Sequence, residues 1–147
     1  MSLKERLAQD LKDAMREKDA VRKDTVQLTR AAILQIEKDN KITLDDEGVI
    51  DVIAKEVKKR RDVLPDYEKS GRADLMQTIN RELEILLAYL PQQLTESEID
   101  EIVKQSIIEV GASSMKDIGN IMKNVMPKVK GKADGRMINE SVKRILN

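Results

Sequence analysis

The stretch DLMQTINRELEILLAYLPQQL, residues 74–94, carries the clearest structural pattern in the chain. Its apolar residues recur in steps of four, four, three and four, as on one face of an α-helix: Leu75, Ile79, Leu83, Leu86 and Leu90. Pro91 ends this pattern, because proline lacks a backbone donor and disfavours helix at the residue before it. The stretch therefore predicts a well-packed helix that belongs to a bundle, followed by a boundary.

The residues before this stretch predict three more helices. Ser2 and Glu5 form a capping box ahead of a helix that runs to about Lys18. Asp19 is the predicted cap of a second helix, and Thr43 with Asp46 suggests the start of a third. Pro65 should end or kink that third helix. Short turns between these segments favour antiparallel neighbours in a bundle of about four helices.

The residues after Pro91 predict three short helices. Thr95 and Glu98 form a second capping box, Gly111 suits the end of that helix, and Ser114 can cap the next one. Asp134 is a plausible cap for the last helix. The predicted fold is all-α, with an N-terminal helical domain at 1–92 and a C-terminal three-helix domain at 93–147.

Composition excludes several kinds of site. The 147 residues include no cysteine and no histidine, which removes thiol nucleophiles, histidine bases and Cys/His metal sites. No phosphate-binding loop, dinucleotide fingerprint or calcium loop is present, so no cofactor, no metal and no catalytic residue is expected. No apolar run approaches a membrane span and the N-terminus does not read as a signal peptide. We therefore expect no membrane association and a cytoplasmic location.

One segment concentrates glycine, proline and positive charge: MPKVKGKADG, residues 126–135. Residues 115–147 hold eight basic and three acidic side chains, a local charge of +5 in a chain whose net charge is zero. Gly131 and Gly135 permit positive φ and a close backbone approach to a ligand. A basic loop before a helix N-terminus is suited to phosphate or carboxylate. The alternative is a connecting loop whose lysines are merely solvated.

Two motifs give the chain a family resemblance. The chain resembles the GatB/YqeY family in two segments: Ile118 to Asn139, IGNIMKNVMPKVKGKADGRMIN, and Tyr89 to Leu94, YLPQQL. The resemblance extends over essentially the whole chain. The resemblance is to the stand-alone YqeY-like member. It implies an all-helical protein with an N-terminal bundle and a C-terminal three-helix domain. The last fifty-odd residues are similar to the tail of the B subunit of glutamyl/aspartyl-tRNA amidotransferase.

That resemblance implies a role in RNA binding, since the amidotransferase tail contacts tRNA while chemistry occurs elsewhere. Our leading hypothesis is a non-catalytic module that binds tRNA or other structured RNA in translation. The predicted phosphate contacts are Lys128, Lys130, Lys132 and Arg136. Gly131 and Gly135 would admit the RNA backbone, and Gly119 would allow close helix packing. Asn120 stands where the family often has a basic residue, and Lys123 could replace that residue.

Two other functions remain open at this point. The chain could be an adaptor that docks on an amidotransferase or another translation protein. It could also carry glutamine-dependent carbon–nitrogen ligase activity, as the family association implies, although the sequence offers no activated nucleophile for that chemistry.

Overall fold

A computed structural model describes all 147 residues, and every regular element in it is helical. The all-α prediction is thus confirmed. The seven α-helices are α1 Leu3–Glu17, α2 Ala20–Asn40, α3 Asp46–Ser70, α4 Ala73–Leu87, α5 Glu96–Val110, α6 Ile118–Val125 and α7 Gly135–Leu146. Two 3₁₀ turns, Met115–Asp117 and Met126–Lys128, flank α6. None of these helices is both long enough and apolar enough to cross a membrane.

Side-chain caps set the starts of most helices. The Ser2 hydroxyl accepts a hydrogen bond from the Glu5 amide in a complete capping box, and Asp19 caps α2 through the Arg22 amide. Thr95 caps α5 through the amide of Glu98. The cap of α3 is Asp45, whose carboxylate accepts from the Gly48 amide. The prediction of a cap from Thr43 with Asp46 was therefore wrong in its residue, although the helix begins at Asp46.

Residues Met1–Leu90 form one compact unit built from α1 to α4. Its core consists of aliphatic side chains from all four helices, among them Leu7, Val26, Ile53 and Leu86. Tyr89 is buried at the edge of this core, where its hydroxyl donates to the Asp10 carboxylate and Arg6 lies 4.5 Å from its ring centroid. Burial, followed by the hydrogen bond to Asp10, raises the pKa of Tyr89 well above its ordinary value. Tyr89 therefore joins the segment after α4 to α1 at the end of the bundle.

Pro65 does not end α3, which continues to Ser70. Of the two outcomes predicted for Pro65, the end of the helix was wrong, and the kink stays a prediction. Leu64, the residue before the proline, packs against the core of the bundle, and Gly71 closes the helix in the left-handed conformation at φ 70°. Tertiary packing thus offsets the missing backbone hydrogen bond.

Residues Pro91–Asn147 form a second compact unit, in which α5 packs against α6 and α7. Its core is fully aliphatic and includes Val103, Ile121, Val129 and Ile138. The Asp100 carboxylate accepts from the Ser141 hydroxyl at 2.5 Å and from Arg144 at 2.7 Å, which ties α5 to α7. These bonds, that of Ser141 first, hold the pKa of Asp100 below its ordinary value. The domain boundary predicted between residues 92 and 93 stays a prediction.

Candidate nucleic-acid interface

The lysines of the predicted site lie on an irregular turn between α6 and α7. We call residues 126–136 the basic turn. It begins with a 3₁₀ turn over Met126–Lys128, and Val129 then inserts into the core with no exposed surface. Gly131 adopts φ 74°, in the left-handed region that favours glycine. Val129 and Gly131 alternate with Lys128, Lys130 and Lys132 along the turn, and all three lysines are exposed at the surface.

The residues just after Pro91 hold this turn in place. The Gln93 side-chain amide donates to the Gly131 carbonyl at 2.7 Å, and the Leu94 amide donates to the Lys132 carbonyl at 3.0 Å. Within the turn, the Lys132 amide donates to the Val129 carbonyl at 2.7 Å. The backbone around Lys132 is therefore fixed on both sides by hydrogen bonds from residues of the same unit.

Lys128 forms an ion pair within the chain. Its ammonium lies 2.9 Å from the Glu109 carboxylate on α5 and 3.0 Å from the Asn124 side-chain oxygen on α6. The same Asn124 oxygen accepts from the buried Ser106 hydroxyl at 2.7 Å. The hydrogen bond from Lys128, followed by that from Gln105, holds the pKa of Glu109 below its ordinary value. Lys128 thus joins α5, α6 and the basic turn, a role that sequence spacing does not reveal.

The other predicted cations differ in whether their side chains have interaction partners within the chain. Lys132 is exposed, and its ammonium has no partner within the chain. Lys123 in the last turn of α6 is likewise exposed and unpaired. Arg136 lies on the first turn of α7, with its Nε 3.4 Å from Glu140, and Lys130 is exposed but engaged. The turn therefore brings together Lys128, Lys130, Lys132 and Arg136, and Lys123 lies on the helix that leads into it.

The three predicted glycines only partly act as expected. Gly135 is the first residue of α7 and is not among the positive-φ residues, because Asp134 caps the helix there through the Met137 amide. Gly119 is exposed on α6, and a Cβ built on it would meet nothing within 4 Å. Close helix packing therefore does not require Gly119. Of the two glycines expected to allow positive φ, Gly131 adopts it and Gly135 does not. Gly131 is itself buried, so it offers no exposed surface for the close RNA approach that was predicted.

Ser114 accepts from the Lys116 amide in a capping box with Asp117, which confirms the predicted cap. No group of three or more acidic side chains is placed to hold a metal ion. What the basic turn offers chemically is positive charge on a fixed backbone, which suits a polyanion.

The residues that support the basic turn were not among the predicted site residues. Glu109 is nineteen residues from Lys128, and Gln93 is thirty-eight residues from Gly131. Neither contact can therefore be predicted from local sequence spacing. Gln93 lies in the YLPQQL segment that carried the family resemblance, and this position was its available signal. Glu109, and Asn124 with its bond to Ser106, become visible only once α5, α6 and the turn are packed together.

Comparison with known proteins gives relatives of two kinds. The altered inheritance of mitochondria protein 41, mitochondrial, of Pyrenophora tritici-repentis is 30% identical over 144 residues, covering 96% of this chain and 79% of that protein. Its namesake in Kluyveromyces lactis is 37% identical over 111 residues, covering 73% and 60%. The E subunit of glutamyl-tRNA(Gln) amidotransferase from Thermococcus gammatolerans is 38% identical over 58 residues, covering 40% and 9%.

These relatives contradict the cytoplasmic location expected from the sequence. Several of them are named as mitochondrial proteins. The expectation was wrong because it rested on the lack of a spanning segment and of a signal peptide, and neither observation identifies a compartment.

The likeness to an amidotransferase agrees with the resemblance seen in the motifs, although the matching relative is the E subunit and the motifs resembled the B subunit. The family described as Yqey-like protein matches residues 4–146, which is nearly the whole chain and includes the entire basic turn. On this match, the chain belongs to the Yqey-like protein family.

Proposed function

We propose that the C-terminal unit binds the phosphate backbone of structured RNA through the basic turn, and that tRNA is the RNA class. The observation that carries the proposal is Lys132. Its backbone is held by hydrogen bonds to Val129 and Leu94, while its ammonium is exposed and unpaired. Because this backbone is already fixed, contact with a phosphate costs rotamer freedom of the Lys132 side chain but no further backbone freedom.

Electrostatics supports a contact of this kind. Residues 115–147 carry a charge of +5, and an RNA that is neutralised there releases counterions, which supplies binding free energy. The unit contains no aromatic residue, so base stacking has no platform in it. Recognition would follow the shape and backbone of the RNA rather than its sequence. The choice of tRNA is supported by the name of the amidotransferase relative.

The structure changes which residues we assign to the contact. Lys128 already neutralises Glu109, so we assign it a supporting role. We assign the phosphate contacts to Lys132 and Lys123, with Lys130 and Arg136 available if they exchange their present partners.

The test is filter binding of tRNA at several salt concentrations with the full chain. The double variant Lys123→Ala, Lys132→Ala should bind more weakly, and the slope of log affinity against log salt should flatten by roughly 0.7 to 0.9 for each phosphate contact that is removed. Lys143→Ala is the matched control, since Lys143 is exposed and unpaired in the same unit but lies outside the turn. Equal slopes for wild type and double variant would exclude Lys123 and Lys132 as the phosphate contacts and would overturn the assignment on which the proposal rests.

A further inference from the structure

The solvent-facing side of α2 carries apolar side chains that nothing in the chain covers. Leu28 and Leu34 retain 61% and 63% of their surface, and Ala31 between them is exposed as well. Residues spaced by three lie along one side of a helix. The opposite side supplies the buried residues of this helix: Thr25, Val26, Thr29 and Ile33. The apolar stripe is therefore not needed to fold the bundle, and such a stripe with polar borders is typical of an interaction surface.

The residues of this face are arranged symmetrically about Ala31. Leucines lie three positions to either side and glutamines lie four positions to either side, at Gln27 and Gln35. Seven positions away the charges are opposite, with Asp24 before Ala31 and Lys38 after it. Both charged groups are exposed, and neither has an ion-pair partner within the chain. The face is therefore complementary, in side-chain type and in charge, to a second copy of itself that runs antiparallel.

We propose that this face binds the same face of a second copy of the chain, with the two α2 helices antiparallel and a two-fold axis at Ala31. In such an isologous interface, a residue n positions before Ala31 lies opposite the residue n positions after Ala31 in the partner. Asp24 then meets the partner's Lys38, and the reciprocal pair forms at the other end. Ala31 is small, so the two helices can approach closely at the axis.

The ends of the face are also complementary. Ile42, eleven residues after Ala31, is 49% exposed just beyond the end of α2. Ala20, eleven residues before Ala31, lines a hollow of about 360 Å³ together with Met15, which is 54% exposed. The antiparallel pairing brings the partner's Ile42 to this hollow, where both side chains lose apolar surface to solvent.

The charge pattern favours a second copy over a partner of uniform charge. A uniformly acidic partner would be attracted at Lys38 and repelled at Asp24, and a basic partner would meet the reverse. An antiparallel copy satisfies both ends at once. One face of one helix is small beside a standard interface, so the dimer should be weak and depend on concentration.

Sedimentation velocity of the full chain over a concentration series tests the proposal. Wild type should pass from monomer to dimer as its concentration rises. Asp24→Lys and Lys38→Asp should each dimerise roughly tenfold more weakly, because each places like charges at both ends. An equimolar mixture of the two variants should restore dimers, as should the double variant, since both ends are then paired again. A wild type that is monomeric at all concentrations, or variants that do not rescue each other, would overturn the proposal.

A second measurement locates the axis. The chain has no cysteine, so Ala31→Cys introduces one thiol per copy, and a short bismaleimide should link two copies through it. Glu101→Cys is the matched control, an exposed position in the other unit that should not be linked. Equal linking of the two variants would contradict pairing at Ala31. Circular dichroism verifies that each variant is folded, as expected for changes at exposed helix positions.

Discussion

The Lys128 ammonium lies 2.9 Å from the Glu109 carboxylate, whereas Lys132, four residues along the same turn, has no partner for its ammonium. Two lysines that look equivalent in the sequence therefore have different physical roles. One joins α5 to the basic turn, and the other presents an uncompensated charge to solvent.

We predict that single alanine substitutions separate these roles. Lys128→Ala should lower the melting temperature slightly, because the pair with Glu109 is partly exposed and such pairs stabilise weakly. It should leave the salt slope of tRNA binding nearly unchanged. Lys132→Ala should leave the melting temperature unchanged and flatten the slope. Thermal unfolding and filter binding check this, and the opposite assignment of effects would show that Lys128 is the phosphate contact.

Acid should weaken the C-terminal unit. Hydrogen bonds hold the pKa of Glu109 and the pKa of Asp100 below their ordinary values of 4.5 and 3.8. The unfolded chain therefore takes up protons at a higher pH than the folded chain. The resulting stability is fully present above the ordinary values and is lost as the pH falls through the lowered ones.

Urea unfolding from neutral pH to about pH 3 measures this loss. Glu109→Gln should reduce the dependence on pH, while Glu101→Gln serves as the control for the removal of one carboxylate. A dependence that is as steep in Glu109→Gln as in wild type would show that the Lys128 pair does not contribute to it.

Two glycines should respond to alanine with opposite signs. Gly131→Ala should cost about 1–2 kcal/mol, because an L-residue is strained at φ 74°. Gly119→Ala should raise the stability by up to about 1 kcal/mol, because Gly119 is helical and a Cβ there meets nothing within 4 Å. Urea unfolding measures both variants. A stabilising Gly131→Ala would mean that the turn readily adopts another conformation.

Removal of the Gln93 amide should loosen the basic turn. Gln93→Ala removes the hydrogen bonds that the side-chain amide donates to the Gly131 and Pro91 carbonyls and should cost about 1 kcal/mol. On the proposed function it should also weaken tRNA binding without changing the salt slope, since the substitution removes no charge. Gln92→Ala is the matched control, because that neighbouring side chain is exposed. Identical behaviour of the two variants would mean that Gln93 does not support the site.

Local chemistry explains which parts of the fold could be predicted from the sequence. Caps such as Ser2, Asp19, Thr95 and Asp134 act on backbone amides three residues away, so their spacing is visible in the sequence. Glycine permits the left-handed conformation without requiring it, so the sequence could not separate Gly131, which adopts it, from Gly135, which does not. The persistence of α3 beyond Pro65 could not be predicted either, because it depends on how Leu64 packs against the core.

The candidate site was predictable as a region and unpredictable in its details. The concentration of lysines at residues 128–132 is a property of composition and was visible at once. The partner of Lys128 comes from another helix nineteen residues away, and the restraint on Lys132 comes from Leu94, thirty-eight residues away. Such pairings are decided by tertiary packing, which spacing along the chain does not encode.

Pro65 has a consequence for how α3 opens. Because proline has no N–H, the helix segment after it lacks one of the backbone hydrogen bonds that would join it to the preceding turn. The last turn, residues 66–70, can therefore unwind on its own without disturbing the core contacts of Val49, Ile53 and Val57. Amide protons in that turn should exchange with deuterium by local opening, well before those of the buried half of the same helix, whose exchange requires the bundle to unfold.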